Sequence, residues 1–445
     1  MKMKLYNSLT NQKELFVPID NEHIKMYVCG PTIYDLVHLG NTRPLIVYDV
    51  LVRLLSYHYP KISYIRNITD IDDKINSAAF KKGISIQEFT KKTYDSYQYD
   101  IQHLNLLNPT VEPRATDNIS EMMNIIERLI VLGNAYEKEN HVFFDVTSFD
   151  KYGNLSKIKT DEMLNGVRIE NVTLKNNHND FILWKPSSSY EPGWESPWGY
   201  GRPGWHIECS AMSHKFLGEN FDIHGGGQDL IFPHHENEVA QSICSFPGSK
   251  FANYWIHNGM VLVDHTKMSK SLGNFITLRD ILSKYDGEVI KFFMLKTHYR
   301  SAINYTDNAM IEAEKELRKL HKFIDNTELD NDIIPEEFLD ALNDDLNTPK
   351  AIAVMHSYTK DILNGDTKAI SKLRKAGNIF GIFKNSLTNS HKNSESNFIE
   401  DKIRERLEAK KQKDFKLADQ IRNNLYYDFG IILEDKENTT TWRYP

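Results

Sequence analysis

The chain has 445 residues, 40% of them apolar, which is enough for several domains with real cores. No run approaches the roughly 18 apolar residues of a membrane span, and nothing apolar follows the charged start Met1-Lys2-Met3-Lys4, so a cytoplasmic protein with no membrane partner is expected. A net charge of -7 gives no global signature of nucleic-acid binding, and three dispersed cysteines (Cys29, Cys209, Cys244) are too few for a disulfide framework.

In chain order, the first readable unit is strand, turn, helix, strand. Met26-Tyr27-Val28-Cys29 places a strand over 25–29, residues 45–55 are helical, and 63–66 are extended again, which makes a βαβ unit and hence a parallel sheet. Between strand and helix stands His38-Leu39-Gly40-Asn41. Such a segment turns backbone N–H groups and a helix dipole toward a phosphate, and Gly40 lets a nucleobase approach closely. The following Asp70, Asp72 and Asp73 do not form a calcium loop, because Lys74 and Ile75 stand where an oxygen ligand and a glycine are needed. Acidic residues at a helix N-terminus are the simpler reading.

Residues 110–200 read as an insertion that splits the nucleotide-binding domain, with a strand at 141–146 and a Pro/Gly/Trp-rich loop at 192–203. Strands at 221–224 and 253–257 resume the sheet. The triplet Gly225-Gly226-Gly227 is either a flexible turn or a close approach to adenosine. Lys267-Met268-Ser269-Lys270-Ser271 forms a basic loop in which Lys270 can neutralise a leaving pyrophosphate. Helical spacing then covers 288–297, 309–324, 335–359 and 368–383. The polar run 388–397 has no periodicity and reads as a linker, before a tail with helical spacing at Ile403, Leu407, Ala418, Ile421 and Leu425 and a closing hairpin at 429–433 and 439–442. The basic residues between Lys402 and Arg422 fit either a solvated helix face or an RNA contact.

His234 and Glu238 are four apart and so share one helix face; with Cys29 and Cys209 they offer four donors that zinc accepts. A cysteine at a strand end can equally be a small buried hydrophobe, and a Cys29–Cys209 disulfide is disfavoured in a reducing compartment. A metallopeptidase helix is excluded, since the second histidine position counted from His235 holds Val239. His206, His224 and His235 crowd the same region as supporting groups or ordinary core histidines, and Cys244 is expected to be buried and inert.

Four segments carry a family resemblance: Tyr27 through His38 (YVCGPTIYDLVH), Arg66 through Ile75 (RNITDIDDKI), Arg202 through Ser210 (RPGWHIECS) and Asp222 through Glu238 (DIHGGGQDLIFPHHENE). Together with the two ATP signatures they make the chain resemble the cysteinyl-tRNA synthetases, a family of class I aminoacyl-tRNA synthetases, over nearly its whole length. The resemblance implies an α/β fold: a Rossmann-like parallel-sheet catalytic domain in two halves (1–110 and 205–280) around a connective insertion (111–204). A helical stem-contact domain (281–387), a linker (388–397) and an anticodon-binding module (398–445) follow.

It also implies ATP-dependent ligation of L-cysteine to tRNA(Cys) through cysteinyl-adenylate. One zinc ion per chain, held by Cys29, Cys209, His234 and Glu238, would select the substrate thiolate, and Mg2+ would accompany ATP. ATP contacts would come from His38, Gly40, Asn41, Gly225, Gly226, Gly227, Lys267 and Lys270, with His38, Asn41, Lys267 and Lys270 catalytic. Thr69, Trp205 and Asp229 would line the cysteine pocket, Trp442 could stack on RNA, and a monomer is expected. The first signature departs from the family in one place, because Asn41 stands where histidine is frequent; it keeps a hydrogen-bond donor but carries no proton charge. The insertion is too short for an editing site. One alternative is a ligase joining cysteine to an amino-sugar on the same fold, which the tail 398–445 argues against. The other is a non-catalytic RNA-binding paralogue, opposed by retention of His38, Lys270 and all four metal positions.

Overall fold

The computed structural model describes residues 2–158, 172–188, 191–268, 273–324, 334–384, 390–429, 431–436 and 439–443. The chain divides into two units, 1–281 with 287–383, and 282–286 with 384–445.

The first unit opens with an antiparallel hairpin, β1 (Lys4–Asn7) and β2 (Gln12–Leu15). The βαβ unit follows as β3 (Ile24–Val28), α1 (Leu39–His58) and β4 (Ile62–Arg66). α1 begins six residues before the expected 45, so the first signature lies inside its opening turn. Its cap is His38, whose ring Nδ1 accepts the Asn41 backbone N–H at 3.3 Å. Pro44 stands at the sixth residue of the helix, where it lacks the N–H that would otherwise reach the Gly40 carbonyl one turn back.

Two helices come next, α2 (Asp73–Lys82), capped by Asp72, and α3 (Ile86–Ile101). The insertion packs α4 (Ile119–Val131) against an antiparallel sheet of β5 (Ala135–Lys138), β6 (His141–Phe144), β7 (Phe181–Pro186) and β8 (Gly201–Pro203). Ile119, Met122, Ile125, Ile126 and Leu129 form the buried stripe of α4. Each is worth about 1.5–3 kcal/mol relative to exposure. That stripe joins Tyr27, Phe144, Trp184, Phe221 and Trp255 in one apolar cluster, so the insertion and the central sheet share a core.

The second half brings α5 (Trp205–Leu217), β9 (Asn220–Gly227), α6 (Glu236–Ser245) and β10 (Phe251–Asn258). The central sheet has the order β10-β9-β3-β4 with every neighbouring pair parallel. Its register sets Val28 beside Gly225 and both Tyr27 and Trp255 beside His224. β9 runs through Gly227, so the glycine triplet is strand and not a turn. Glycine is required there by close neighbours: a Cβ at Gly225 would lie 2.5 Å from the Tyr48 ring, and one at Gly226 2.7 Å from the His235 ring.

A small sheet follows, of β11 (Val261–Val263), β12 (Thr266–Lys267) and, further on, β13 (Ile303–Tyr305). The helical part holds α7 (Leu278–Leu282), α8 (Gly287–Leu295), α9 (Asp307–His321), α10 (Glu336–Asn343), α11 (Thr348–Leu363) and α12 (Lys368–Phe380). The expected helix over 335–359 is broken in two because Asp345 and Leu346 take positive φ (65° and 48°) ahead of the new cap at Asn347.

The second unit contains α13 (Ser390–Lys411), α14 (Phe415–Phe429) and the hairpin β14 (Ile432–Lys436) and β15 (Thr439–Arg443). Ile399, Ile403, Ile421, Leu425, Ile431 and Leu433 form its core. The expected linker is corrected in part: 388 and 389 lie outside the described residues, while 390–397 are helix. The run contains neither proline nor glycine, so nothing in it stops a helix continuous with the amphipathic turns beyond. Among the described residues, no helix is long and apolar enough to cross a membrane.

Candidate active site

Cys29 is the first residue past β3, and its backbone N–H donates to Gly225 across the sheet at 3.1 Å. Cys209 lies one turn into α5, and Glu238 lies in the first turn of α6, four residues after His234. Separate stretches of sequence thus meet at the C-terminal end of the central strands, where open parallel sheets place ligands. The donor atoms of Cys29, Cys209, His234 and Glu238 all lie within 4.8 Å of one another. Cys29 Sγ is 3.6 Å from Cys209 Sγ and 3.5 Å from Glu238 Oε1, and His234 Nε2 is 3.0 Å from the same Oε1.

These spacings fit a metal. A tetrahedron with bonds of about 2.3 Å to sulfur has an S–S edge of about 3.8 Å, close to the distance found. A second tetrad, Cys29, His224, His235 and Glu238, also falls within 4.8 Å. It shares two members with the first, and His224 already acts in support, because its Nε2 meets the far carboxylate oxygen of Glu238 at 2.8 Å while its ring stacks on Trp255. That bond fixes the carboxylate, as groups behind metal ligands do.

The electrostatics are those of a site waiting for positive charge. Burial resists ionisation of Cys209, but the Cys29 thiol and the His234 imidazolium overrule it and hold Cys209 at about 6. Cys29 is pushed well up, by burial first and by Cys209 second. Burial disfavours the His234 imidazolium, yet Glu238 raises it to about 10; Glu238 is itself held well below the carboxylate range against burial, by His224 and His234. A single proton at His234 therefore sits among a thiolate and a carboxylate, a place a dication would take over. Burial holds His235 well below its ordinary value and lowers His257 to about 3, so both are neutral.

The residues expected around the cysteine pocket divide. Trp205 stacks on His234 with ring centroids 4.1 Å apart. Thr69 is buried, donates its hydroxyl to Glu208 at 2.9 Å and accepts from Asn67 at 3.3 Å. Asn67 in turn accepts the Gly30 N–H at 2.9 Å and lies 3.8 Å from Cys209 Sγ. Asp229 differs, being exposed on the short turn Gln228–Leu230 beside Gly227. Cys244 is half-buried, outside both tetrads, and pushed up to about 11 by burial. Sequence reasoning missed the contributions of Glu208, Asn67 and His257; the first two lie inside RPGWHIECS and RNITDIDDKI, which was the only signal that could have found them.

The two ATP signatures meet. His38 pairs with Thr277 as an antiparallel bridge, the Leu39 N–H donates to Ile276 at 3.0 Å, and the His38 ring packs edge-on against Phe275 at 5.2 Å. A Cβ on Gly40 would come within 3.8 Å of Met268, so the start of the basic loop lies over the first turn of α1. Asn41 is half-buried in that turn and Lys267 is exposed on β12. Ser269, Lys270 and Ser271 lie outside the described residues. Gly225 and Gly226 are sealed by Tyr48 and His235, which leaves Gly227, half-buried at the strand end, as the most open of the three.

Residues 15–315 match the family described as tRNA synthetases class I (C) catalytic domain, and residues 337–387 match the DALR domain. A cysteine--tRNA ligase of Granulibacter bethesdensis is 50% identical over 99% of this chain and 95% of its own length. One from Rickettsia prowazekii is 48% identical over the full length of both chains. Among solved structures, a Mycobacterium tuberculosis methionyl-tRNA synthetase in complex with methionyl-adenylate is similar in fold, with a TM-score of 0.59 and 13% identity over 81% of this chain and 89% of that one.

Proposed function

The chain belongs to the cysteine--tRNA ligases, class I aminoacyl-tRNA synthetases, and from that premise we propose that Cys29, Cys209, His234 and Glu238 hold a zinc ion that selects cysteine by its sulfur. The observation that carries the reading is the convergence of two thiols, an imidazole and a carboxylate within 4.8 Å from distant stretches of chain. When bound, zinc supplies the charge that ionises a thiol whose free pKa is about 8.5.

The chain's own residues do the rest. Trp205 stacked on His234 walls the site, and the Asn67–Thr69–Glu208 chain fixes a polar floor. Serine differs from cysteine by one atom, and a pocket that reads only size gains about 1–3 kcal/mol, too little for faithful charging. A soft donor set discriminates by bond type instead, and no editing step is needed.

For activation, the cysteine carboxylate attacks the α-phosphate of ATP, and the cysteinyl group of the adenylate is then transferred to the terminal ribose of tRNA(Cys). The first turn of α1 offers backbone N–H groups and the His38 ring to the phosphates, with Mg2+ accompanying ATP. Lys270 meets the departing pyrophosphate and Lys267 supports the loop, so the work is positioning and charge stabilisation without an enzyme nucleophile. Metal analysis tests the reading: wild type carries about one zinc per chain and Cys209→Ser carries much less, while undiminished zinc in that variant would overturn it.

A further inference from the structure

A cavity of about 220 Å3 lies beside the candidate metal cluster, and its lining, which also includes Asp72 and Lys175, contains two sets of residues that matter here. Trp205, which stacks on the candidate ligand His234, belongs to one set with His206 and Glu208; Asp73, Lys185 and Arg202 make the other. None of His38, Asn41, Gly225, Gly226, Gly227 or Lys267 lines it, so the cavity is separate from the described residues of the ATP signatures.

The charged set spans two parts of the fold. Asp73 is the first residue of α2, which follows β4 of the central sheet in the chain, whereas Lys185 lies on β7 and Arg202 on β8 of the insertion. Lys185 Nζ meets one Asp73 oxygen at 2.7 Å and Arg202 Nη2 meets the other at 3.1 Å; Arg202 also reaches Glu191 at 2.8 Å. Burial would raise the Asp73 carboxyl, but Lys185 and Arg202 pull it below its ordinary value. Asp73 is the most open of the three, with a side chain 38% exposed against 16% for Lys185 and 9% for Arg202.

One carboxylate with a cation on each oxygen has the geometry of a phosphodiester whose two free oxygens take the same two cations. A ligase acting beside this metal must bring the 3′ end of a polynucleotide to the acyl carbon, and phosphodiester is the chemistry that leads that end in. We propose that Lys185 and Arg202 bind the phosphodiester before the terminal nucleotide of tRNA, and that Asp73 holds their place until it arrives. This rests on the cysteine reading of the metal site.

The test measures binding of two tRNA(Cys) transcripts, one ending in CCA and one lacking those three nucleotides, to the full chain and to Lys185→Met, Lys185→Arg and Asp73→Asn. Lys185→Met weakens the intact transcript about fivefold, the scale of one charge-assisted contact, and lowers its log-affinity against log-salt slope by about 0.7. It leaves the truncated transcript unchanged, and Lys185→Arg restores the intact one. Asp73→Asn tightens the intact transcript, because the competitor has lost its charge, and this arm decides the matter even where Lys185→Met does not fold. Equal effects on both transcripts, or weaker binding in Asp73→Asn, would overturn the proposal. So would a raised KM for ATP in pyrophosphate exchange by Lys185→Met, which would put the cations on the triphosphate. Failure of the cysteine reading would show separately, as wild type that does not exchange pyrophosphate with cysteine.

Discussion

At the scale of single residues, the chemistry is concentrated where side-chain type cannot be exchanged. Cys29, Cys209, His234 and Glu238 were legible from sequence through their match to family positions, and the fold brings them to one point. Asn67, Glu208 and His257 were not legible, because their partners lie across the fold: Thr69 meets Glu208 139 positions away. Cys244 supplies the internal control. Held up at about 11 and outside both tetrads, it stays a protonated thiol at neutral pH, so Cys244→Ser keeps its zinc and its rate of adenylate formation within about twofold, as metal analysis and pyrophosphate exchange will show. Lys270→Ala slows the same exchange by about 10²-fold or more with little change in thermal midpoint; an active, stable variant would remove Lys270 from the mechanism.

At the scale of elements, periodicity found β3, β4, β9, β10 and the helices after residue 287, whereas α3, α4, α5 and the β11–β13 sheet were not read from the sequence, and packing decided what periodicity left open. The glycine triplet shows the limit. Composition allowed a turn, whereas the register of β9 against β3 puts Tyr48 and His235 where side chains would otherwise stand. Gly225→Ala therefore overpacks the sheet against the Tyr48 ring and costs about 1–3 kcal/mol, seen as a lowered thermal midpoint. The helical part carries a pH signature. Glu316 on α9 is held at about 2, chiefly by His356 on α11 and then by Lys296. A depressed carboxylate contributes stability that is complete above its unfolded pKa near 4.3 and fades as pH falls toward 2. Glu316→Gln accordingly lowers the thermal midpoint at pH 7 by an amount worth about 1 kcal/mol, and the gap from wild type narrows between pH 5 and 3. An unchanged gap would detach Glu316 from that network.

At the scale of the whole molecule, the chain gathers the Cys29, Cys209, His234 and Glu238 cluster at one end of a parallel sheet and forms a second folded unit later in the sequence. That unit has its own core and a bidentate Arg406–Asp435 pair at 2.8 and 2.9 Å. Its existence was legible from the helical spacing of 403–425; the start of its first helix was not, because polar residues without a breaker look alike in a linker and on a solvated helix. We expect a chain truncated after 384 to keep pyrophosphate exchange with cysteine while its KM for tRNA(Cys) rises at least tenfold. Equal charging by both forms would take tRNA recognition away from the unit.

Recognition of sulfur is the centre of the proposed function. The most direct measurement is pyrophosphate exchange by the zinc-loaded protein with cysteine and with serine, repeated after the metal is stripped and restored. We predict exchange with cysteine exceeding that with serine by at least about 10³-fold, lost on stripping and recovered with zinc. Serine activated nearly as fast as cysteine, or full discrimination by metal-free protein, would contradict it.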